Sequence, residues 1–463
     1  MTPPGNSPAS RDIASLIHPY THLAQHEEQG PLIIERGRGI HVFDDSGKEY
    51  IEGMAGLWCT SLGFDEEALI AAAVAQMRKL PTYHIFSHKS TNPAIALAEK
   101  LKAMAPVPFS KVLFANSGSE ANDTVIKLAW YYNNALGRPQ KKKIISRVKA
   151  YHGVTIAAAS LTGLPNNHRD FDLPLPGILH ADCPHHYRFG LPGESEEDFA
   201  TRLAANLEAL ILREGPDTIA AFIAEPVMGA GGVIVPPRTY FDKIQVVLKK
   251  YDILMVADEV ICGFGRTGNV WGSQTFGIRP DILTCAKQLS SAYLPISALM
   301  LSEPIYQAMV AESRKIGTFG HGVTYAGHPV PAAVALRTLE LYEERDTFGH
   351  VQAVAPRFLG RFERLRDHPL VGEVRGVGLI GATELVADKK TRAPFEPARA
   401  VGAHVAARAQ DNGLILRAMG DSLALCPPLI ITEGEIDTMF DRLERALDDT
   451  AHWARREGLL AAA

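Results

Sequence analysis

Four short stretches carry residues able to do chemistry, and each follows an apolar run. DILTCA (281–286) leads to Lys287, DILMVA (252–257) to Asp258 and Glu259, TIAAFIA (218–224) to Glu225, and KVLFAN (111–116) to Ser117, Gly118 and Ser119. A surface lysine needs no hydrophobic approach, so a lysine delivered to a strand end reads as a reagent. An amine with a pKa of about 10.4 is a poor nucleophile at neutral pH. Desolvation at a sheet mouth lowers that pKa and frees the neutral amine for Schiff-base chemistry. The plainer reading is a lysine that snorkels to solvent. Asp258 follows ILMVA and is expected to be buried, which obliges it to find a partner. That partner is either Arg266, in a structural ion pair, or the protonated ring nitrogen of a cofactor.

In SGSEAND (117–123) small residues at a helix start allow backbone N–H groups to approach an anion, where the helix dipole favours negative charge. The competing role is a simple cap, with Ser119 capping and Asn122 at the third helical position. The lysine of a GxxxxGK[ST] loop is missing, which disfavours a nucleoside triphosphate. A phosphate cradle, a carboxylate for a pyridinium and an aldehyde-trapping lysine together describe one cofactor, pyridoxal 5'-phosphate. Tyr151, in YHG (151–153), follows another strand and is placed to lay its ring on a flat cofactor, or is an ordinary buried tyrosine.

Two further motifs point elsewhere. GFGRTG (263–268) is a literal G-x-G-x-x-G after a strand, the mark of a nicotinamide dehydrogenase. A dinucleotide site needs a helix to open there, and NVWGSQTFGIRPD is not helical in pattern. HADCPHHY (180–187) offers His180, Cys183, His185 and His186, but no second ligand pair stands elsewhere, so no metal site is expected.

The elements that position these residues alternate. Short apolar strands (KVLFANS, KKKIISRV, DTIAAFIAEPV, DILMVADEV, DILTCAK, ISALMLS) are interleaved with helical stretches such as EANDTVIKLAWYYNNAL and EDFATRLAANLEALILREG. Unbroken apolar strands suit a mostly parallel sheet flanked by helices, an α/β domain over residues 64–330. Residues 331–463 read as a smaller α+β domain, with a helix around APRFLGRFERLRD (355–367). Residues 1–63 hold short strands around a turn at DDSGK and contribute to the small domain and the pocket. The first dozen residues, rich in Pro, Ser and Gly, are expected to be disordered, and the stretch between YHG and the helical EDFATRLAANLEALILREG (197–215) to be a long loop.

The chain has 463 residues, with 47 basic and 52 acidic side chains for a net charge of −5. No long basic block suggests a nucleic-acid surface, and KKK (141–143) reads as a solvated element end. Five dispersed cysteines suggest reduced thiols and a cytoplasmic location. The N-terminus lacks a signal-peptide pattern, and no run approaches the ~20 apolar residues of a membrane span.

NSGSEAND, YHG, AEPVMGAGG, VADEVICGFGRTG, DILTCAKQLSSAYLPI, VTYAGHPV and LRAMGD together resemble the class III aminotransferases of pyridoxal-phosphate fold type I, over residues 18–448. HPYTH and MAGLW resemble the amine:pyruvate, or ω-amino, transaminases within that class. The resemblance implies transfer of an amino group from an amine or ω-amino acid to pyruvate through a Schiff base on Lys287. A decarboxylase or aminomutase of the same fold would use the same cofactor residues. By the same resemblance, Asp258 pairs with the ring nitrogen and Ser117, Gly118 and Ser119 hold the phosphate. Thr324 of the partner subunit helps them. Tyr151 and Val260 sandwich the ring, while His152 and Glu225 lie near the cofactor. Tyr20, Trp58, Phe86 and Ala230 shape the substrate pocket, and Arg417 is the mobile arginine for a substrate carboxylate. A homodimer with shared active sites, or a dimer of such dimers, is implied. Gln288 and Met228 depart from the commoner pattern, which has glycine and glutamine there.

Overall fold

The computed structural model describes residues 5–460. The chain opens with a helix, Pro8–Ser15, where sequence composition suggests disorder. The reason is local: Ser7 Oγ accepts the N–H of Ser10 at 3.1 Å and Pro8 is at the first helical position. Asp12 then ties this helix to the neighbouring segment, through His18 at 2.9 Å and His26 at 3.1 Å. Strands β1 (Ile34–Arg38), β2 (His41–Asp44) and β3 (Glu49–Glu52) form an antiparallel set around the DDSGK turn.

Seven strands build the central sheet: β4 (Lys111–Ala115), β5 (Lys143–Arg147), β6 (Ile178–Ala181), β7 (Ile219–Ala224), β8 (Leu254–Asp258), β9 (Ile282–Cys285) and β10 (Ser297–Leu301), in the order β4-β10-β9-β8-β7-β5-β6. Pairs among β5 to β9 are parallel; β10 runs against both β9 and β4. Successive residues of a strand point to opposite faces. Phe222 of β7 accordingly packs among Phe199, Leu203 and Ile244, and its neighbours Ala221 and Ile223 among Val125 and Leu128. Helices therefore cover both faces, which is why these strands read as unbroken apolar runs.

A second antiparallel sheet holds β11 (Val371–Val377), β12 (Ile380–Leu385), β14 (Arg417–Met419) and β15 (Ser422–Leu425), while β13 (Leu414–Ile415) pairs in parallel with β3. Ile40, in the turn between β1 and β2, and Ile51 of β3 share a core with Phe358, Phe362 and Phe440.

Three other expectations change. The expected long loop contains a helix, Ile156–Leu161, and the edge strand β6, whose four residues are all half-buried and so show no apolar periodicity. The helix around residues 355–367 begins at Thr347 and carries Pro356 inside it, with Asp346 capping. The KKK stretch is not solvated: Lys141 is buried and Lys143 pairs with Glu214 at 2.9 Å. No helix among the described residues is long and apolar enough to cross a membrane.

Candidate active site

β8 ends on Asp258, which is 3% exposed. Its Oδ2 receives Asn122 Nδ2 at 2.8 Å and faces His152 Nδ1 at 2.7 Å, and its Oδ1 accepts the N–H of Val260 at 3.1 Å. Asn122 is itself oriented, donating to the His152 carbonyl at 2.7 Å and accepting from Thr284 Oγ1 at 3.1 Å. The ion pair with Arg266 does not form. Arg266 donates instead to the carbonyls of Leu379 and Pro427, at 2.9 and 2.6 Å. A buried carboxylate held only by an amide, an imidazole and a backbone N–H has its charge incompletely matched and suits a cationic ligand atom.

Beside it the helix Gly118–Ala135 begins. Ser117, not Ser119, is the cap, its Oγ accepting Glu120 N–H at 3.2 Å. The Ser119 hydroxyl accepts Val154 N–H at 3.1 Å. No acceptor among the described residues takes the N–H of Gly118 or Ser119. Both turns around them are closely fitted. A Cβ on Gly118 would lie 3.1 Å from Val260, and one on Gly153, at φ +133°, would lie 2.5 Å from Ser119 Oγ. The result is an anion cradle at a helix N-terminus.

Lys287 follows β9 in a left-handed conformation, φ 49°, uncommon outside glycine and a sign of a constrained site. Desolvation pushes its amine below the usual lysine range, against the pull of Asp258 and Glu225. Glu225 accepts N–H groups of Tyr151 and Gly229, each at 3.0 Å, and burial raises its carboxyl above the ordinary range. A cavity of about 190 Å³ is lined by Gly118, Ser119, Asn122, Tyr151, His152, Glu225, Asp258, Val260 and Lys287. Four strands and the loop after a fifth thus deliver their polar ends to one rim, as expected of an open α/β sheet.

Lys287 and Tyr151 also line a larger cavity of about 650 Å³, together with Tyr20, Leu57, Trp58, Ala230, Arg417 and Met419. Burial raises the Tyr151 hydroxyl above its ordinary range, helped by Tyr20, whose ring meets it edge-on at 6.4 Å. Arg417 has no carboxylate partner among the described residues; Asp421 instead accepts Gly402 N–H at 3.0 Å.

The profile of the family Aminotransferase class-III matches residues 22–447. The chain belongs to this family. It is 52% identical over 436 residues to "Gamma aminobutyrate transaminase 1, mitochondrial" of Solanum lycopersicum, covering 94% of this chain and 85% of that one. It is 60% identical to the omega transaminase from Pseudomonas jessenii solved in complex with PMP, with a TM-score of 0.95 over 96% and 99% of the two chains. A thermostable omega transaminase variant engineered for asymmetric synthesis of enantiopure bulky amines is 59% identical, again with a TM-score of 0.95, over 96% and 100% of the chains.

This aminotransferase uses pyridoxal phosphate, as the family does. Its residues fit the group: free helix amides over a glycine cradle for the phosphate, a buried carboxylate with no lysine or arginine partner for the ring nitrogen, and a desolvated lysine. GFGRTG opens no helix. It is a buried turn held against the Lys287 turn by Gln288, which donates to the carbonyls of Ile261 and Gly263 at 2.9 and 2.8 Å. Gln288 thus acts in packing. Met228 also lies outside both cavities, bridged to Ile234. His185 pairs with Glu373 at 2.8 Å, and Cys183 is buried in a small apolar cluster. Phe86 and Thr324 are exposed and line neither cavity of this chain; Phe86 packs against Gly322, two residues before Thr324.

Sequence reasoning missed Asn122 as a site residue, along with Lys149, Ile261 and Met419. Met419 had a readable signal, standing two residues from Arg417 on the same strand face. Lys149, at φ 69°, had none.

Proposed function

We propose that this aminotransferase moves an amino group from an amine or ω-amino acid to pyruvate through a Schiff base on Lys287. The observation that carries the reading is the larger cavity. It joins Lys287 to apolar walls, Leu57 and Trp58, and to Arg417, which has no carboxylate partner among the described residues. Apolar walls suit an amine donor, and the guanidinium suits the carboxylate of pyruvate or of an ω-amino acid.

The cofactor, when bound, supplies an electron sink. Asp258 holds a proton at the ring nitrogen, and Asn122 and His152 hold Asp258. The amides and hydroxyls of Ser117, Gly118 and Ser119 bind the phosphate. Tyr151, Val260 and Glu225 line the same cavity and would hold the ring. Lys287 would hold the cofactor in the absence of substrate, and once displaced its Nζ would move the proton at the substrate carbon. Tyr20, Trp58 and Ala230 bound the donor, and Arg417 turns toward a carboxylate or away from a plain amine.

The further reading is of a homodimer in which Thr324 and Phe86 reach the partner's site; their exposure on one patch, beside Gly322, supports it. The seven-stranded sheet, contained within residues 64–330, supports a division into residues 1–63, 64–330 and 331–463, with β13 on β3 joining the first part to the third, and dispersed free cysteines support a cytoplasmic location. The test is a panel of 4-aminobutyrate, a diamine and a hydrophobic aryl amine with pyruvate as acceptor. Alanine formation from at least one donor is expected. Turnover without pyruvate would indicate a decarboxylase or aminomutase instead.

A further inference from the structure

We propose that Arg375 is a positioning residue that sets the width of the substrate cavity by tying its two walls together. The inference rests on the reading of that cavity as the donor and acceptor site. One wall is the loop after β7 that carries Ala230 and Gly231; the other is β14, which carries Arg417 and Met419.

Arg375, on β11, lies behind both walls with 7% of its side chain exposed. Its Nε donates to the carbonyls of Gly232 and Val233 at 2.9 and 3.2 Å, and its Nη2 donates to Gly232 again at 2.5 Å. The same Nη2 reaches Ser422 Oγ at 3.1 Å, and Ser422 is the cross-strand partner of Met419. Nη1 is held by Glu373 at 2.6 Å and Glu384 at 2.8 Å. One planar fork therefore bonds the residue after Gly231 and the residue opposite Met419, and two carboxylates lock its orientation. His185, Glu373 and Glu384 are metal-ligand types in one cluster, but Arg375 and Arg188 satisfy the carboxylates there.

A second observation is independent. Val233 adopts φ 51°, a left-handed conformation that is a genuine outlier for a β-branched residue, and it is fully buried. Such a conformation persists only where the surroundings over-determine it. They do: a Cβ on Gly231 would fall 2.2 Å from the Lys149 carbonyl, and one on Gly232 3.1 Å from Arg375 Nη2. The loop is gripped from both sides, so the position of Ala230 follows that of Arg375.

The test uses Arg375→Lys and Ser422→Ala in the cofactor-loaded enzyme. Lysine keeps a charge for Glu373 and Glu384 but cannot form the fork. For Arg375→Lys the ratio of kcat/KM between 4-aminobutyrate and a bulky aryl amine is expected to shift by about tenfold or more, through KM more than kcat. The visible absorbance of the bound cofactor should stay as in wild type. Amide hydrogen exchange should accelerate by about tenfold or more in residues 229–233 and 417–419 and stay unchanged in 117–123. Ser422→Ala should shift both readouts in the same direction by less, and it decides the matter if the lysine variant fails to fold. A substrate ratio within about twofold of wild type, with unaltered exchange in both segments, would overturn the tie and leave Arg375 a packing residue. A wild type that transaminates none of the donors would strike the functional reading alone, since the exchange measurement does not depend on it.

Discussion

Lys287 stands in a left-handed turn with its amine desolvated, and its pKa lies below the ordinary lysine range. The folded state therefore binds fewer protons there than the unfolded chain does. The resulting penalty is full below the folded pKa and fades as pH rises from there toward about 10.4. In cofactor-free protein, Lys287→Met should melt above wild type at pH 7.5, and the gap should narrow by pH 10; a constant gap would mean the amine is charged and satisfied. In loaded enzyme, Lys287→Ala should abolish transamination, and borohydride should fix the cofactor to the wild-type peptide containing Lys287. Label on another lysine would move the assignment. Asp258→Asn should slow turnover by at least about a hundredfold, the scale on which loss of a charge-stabilising contact acts, while some cofactor binding persists. Near-normal rates would make Asp258 a structural residue. Arg417→Ala removes one charge-assisted contact of about 1.5–3 kcal/mol. Single-turnover assays should show a loss of roughly ten- to hundredfold with pyruvate and little change with a plain amine. Equal losses on both half-reactions would return Arg417 to a structural role.

At the level of elements, the turn after β3 delivers Leu57 and Trp58 to the cavity through unusual backbone: Ala55 at φ 47°, Gly56 at 65° and Trp58 at 65°. Glu52 holds that turn. Its carboxylate accepts the N–H of Met54 at 3.2 Å and that of Gly56. Burial outweighs these bonds and raises its pKa to about 7. A carboxyl whose folded pKa is raised contributes its full stability below the unfolded value and loses it as pH rises through the folded one. Wild type should therefore lose about 1–3 kcal/mol relative to Glu52→Gln between roughly pH 4.5 and 7.5. Parallel melting curves of the two proteins across that range would show it, and curves that do not diverge would place the ionisation elsewhere. The turn itself was unreadable in MAGLW, because left-handed alanine and tryptophan arise from tertiary constraint and not from local preference.

At the scale of the whole molecule, Thr324 and Phe86 are predicted site residues that a single chain leaves exposed and outside both cavities, whereas Ser117, also outside them, caps the helix that begins at Gly118. A shared site makes a specific demand on mixed subunits. Lys287→Ala chains mixed with Thr324→Ala chains should form hybrids in which one site lacks both defects. Tight cofactor binding and activity should then return in the mixture, measured against each variant alone. A fully active monomer at assay concentration would exclude the arrangement.

The candidate site was legible in the sequence because parallel strands buried on both faces are unbroken apolar runs, and the residues just after them land on the carboxyl rim. Lys287, Asp258, Glu225 and Ser117–Ser119 were found by that rule alone, with no knowledge of which strands are neighbours. Strand β6 and the helix at Pro8 were not, since a half-exposed edge strand has no periodicity and a three-residue cap outweighs composition. What tertiary structure alone decided is pairing at a distance. Asp258 meets Asn122 and His152 rather than the nearer Arg266, and Arg375 joins a loop 142 residues away to β15. Hydrogen-bond partners are chosen by direction and burial within a packed core, and chain separation carries no information about either.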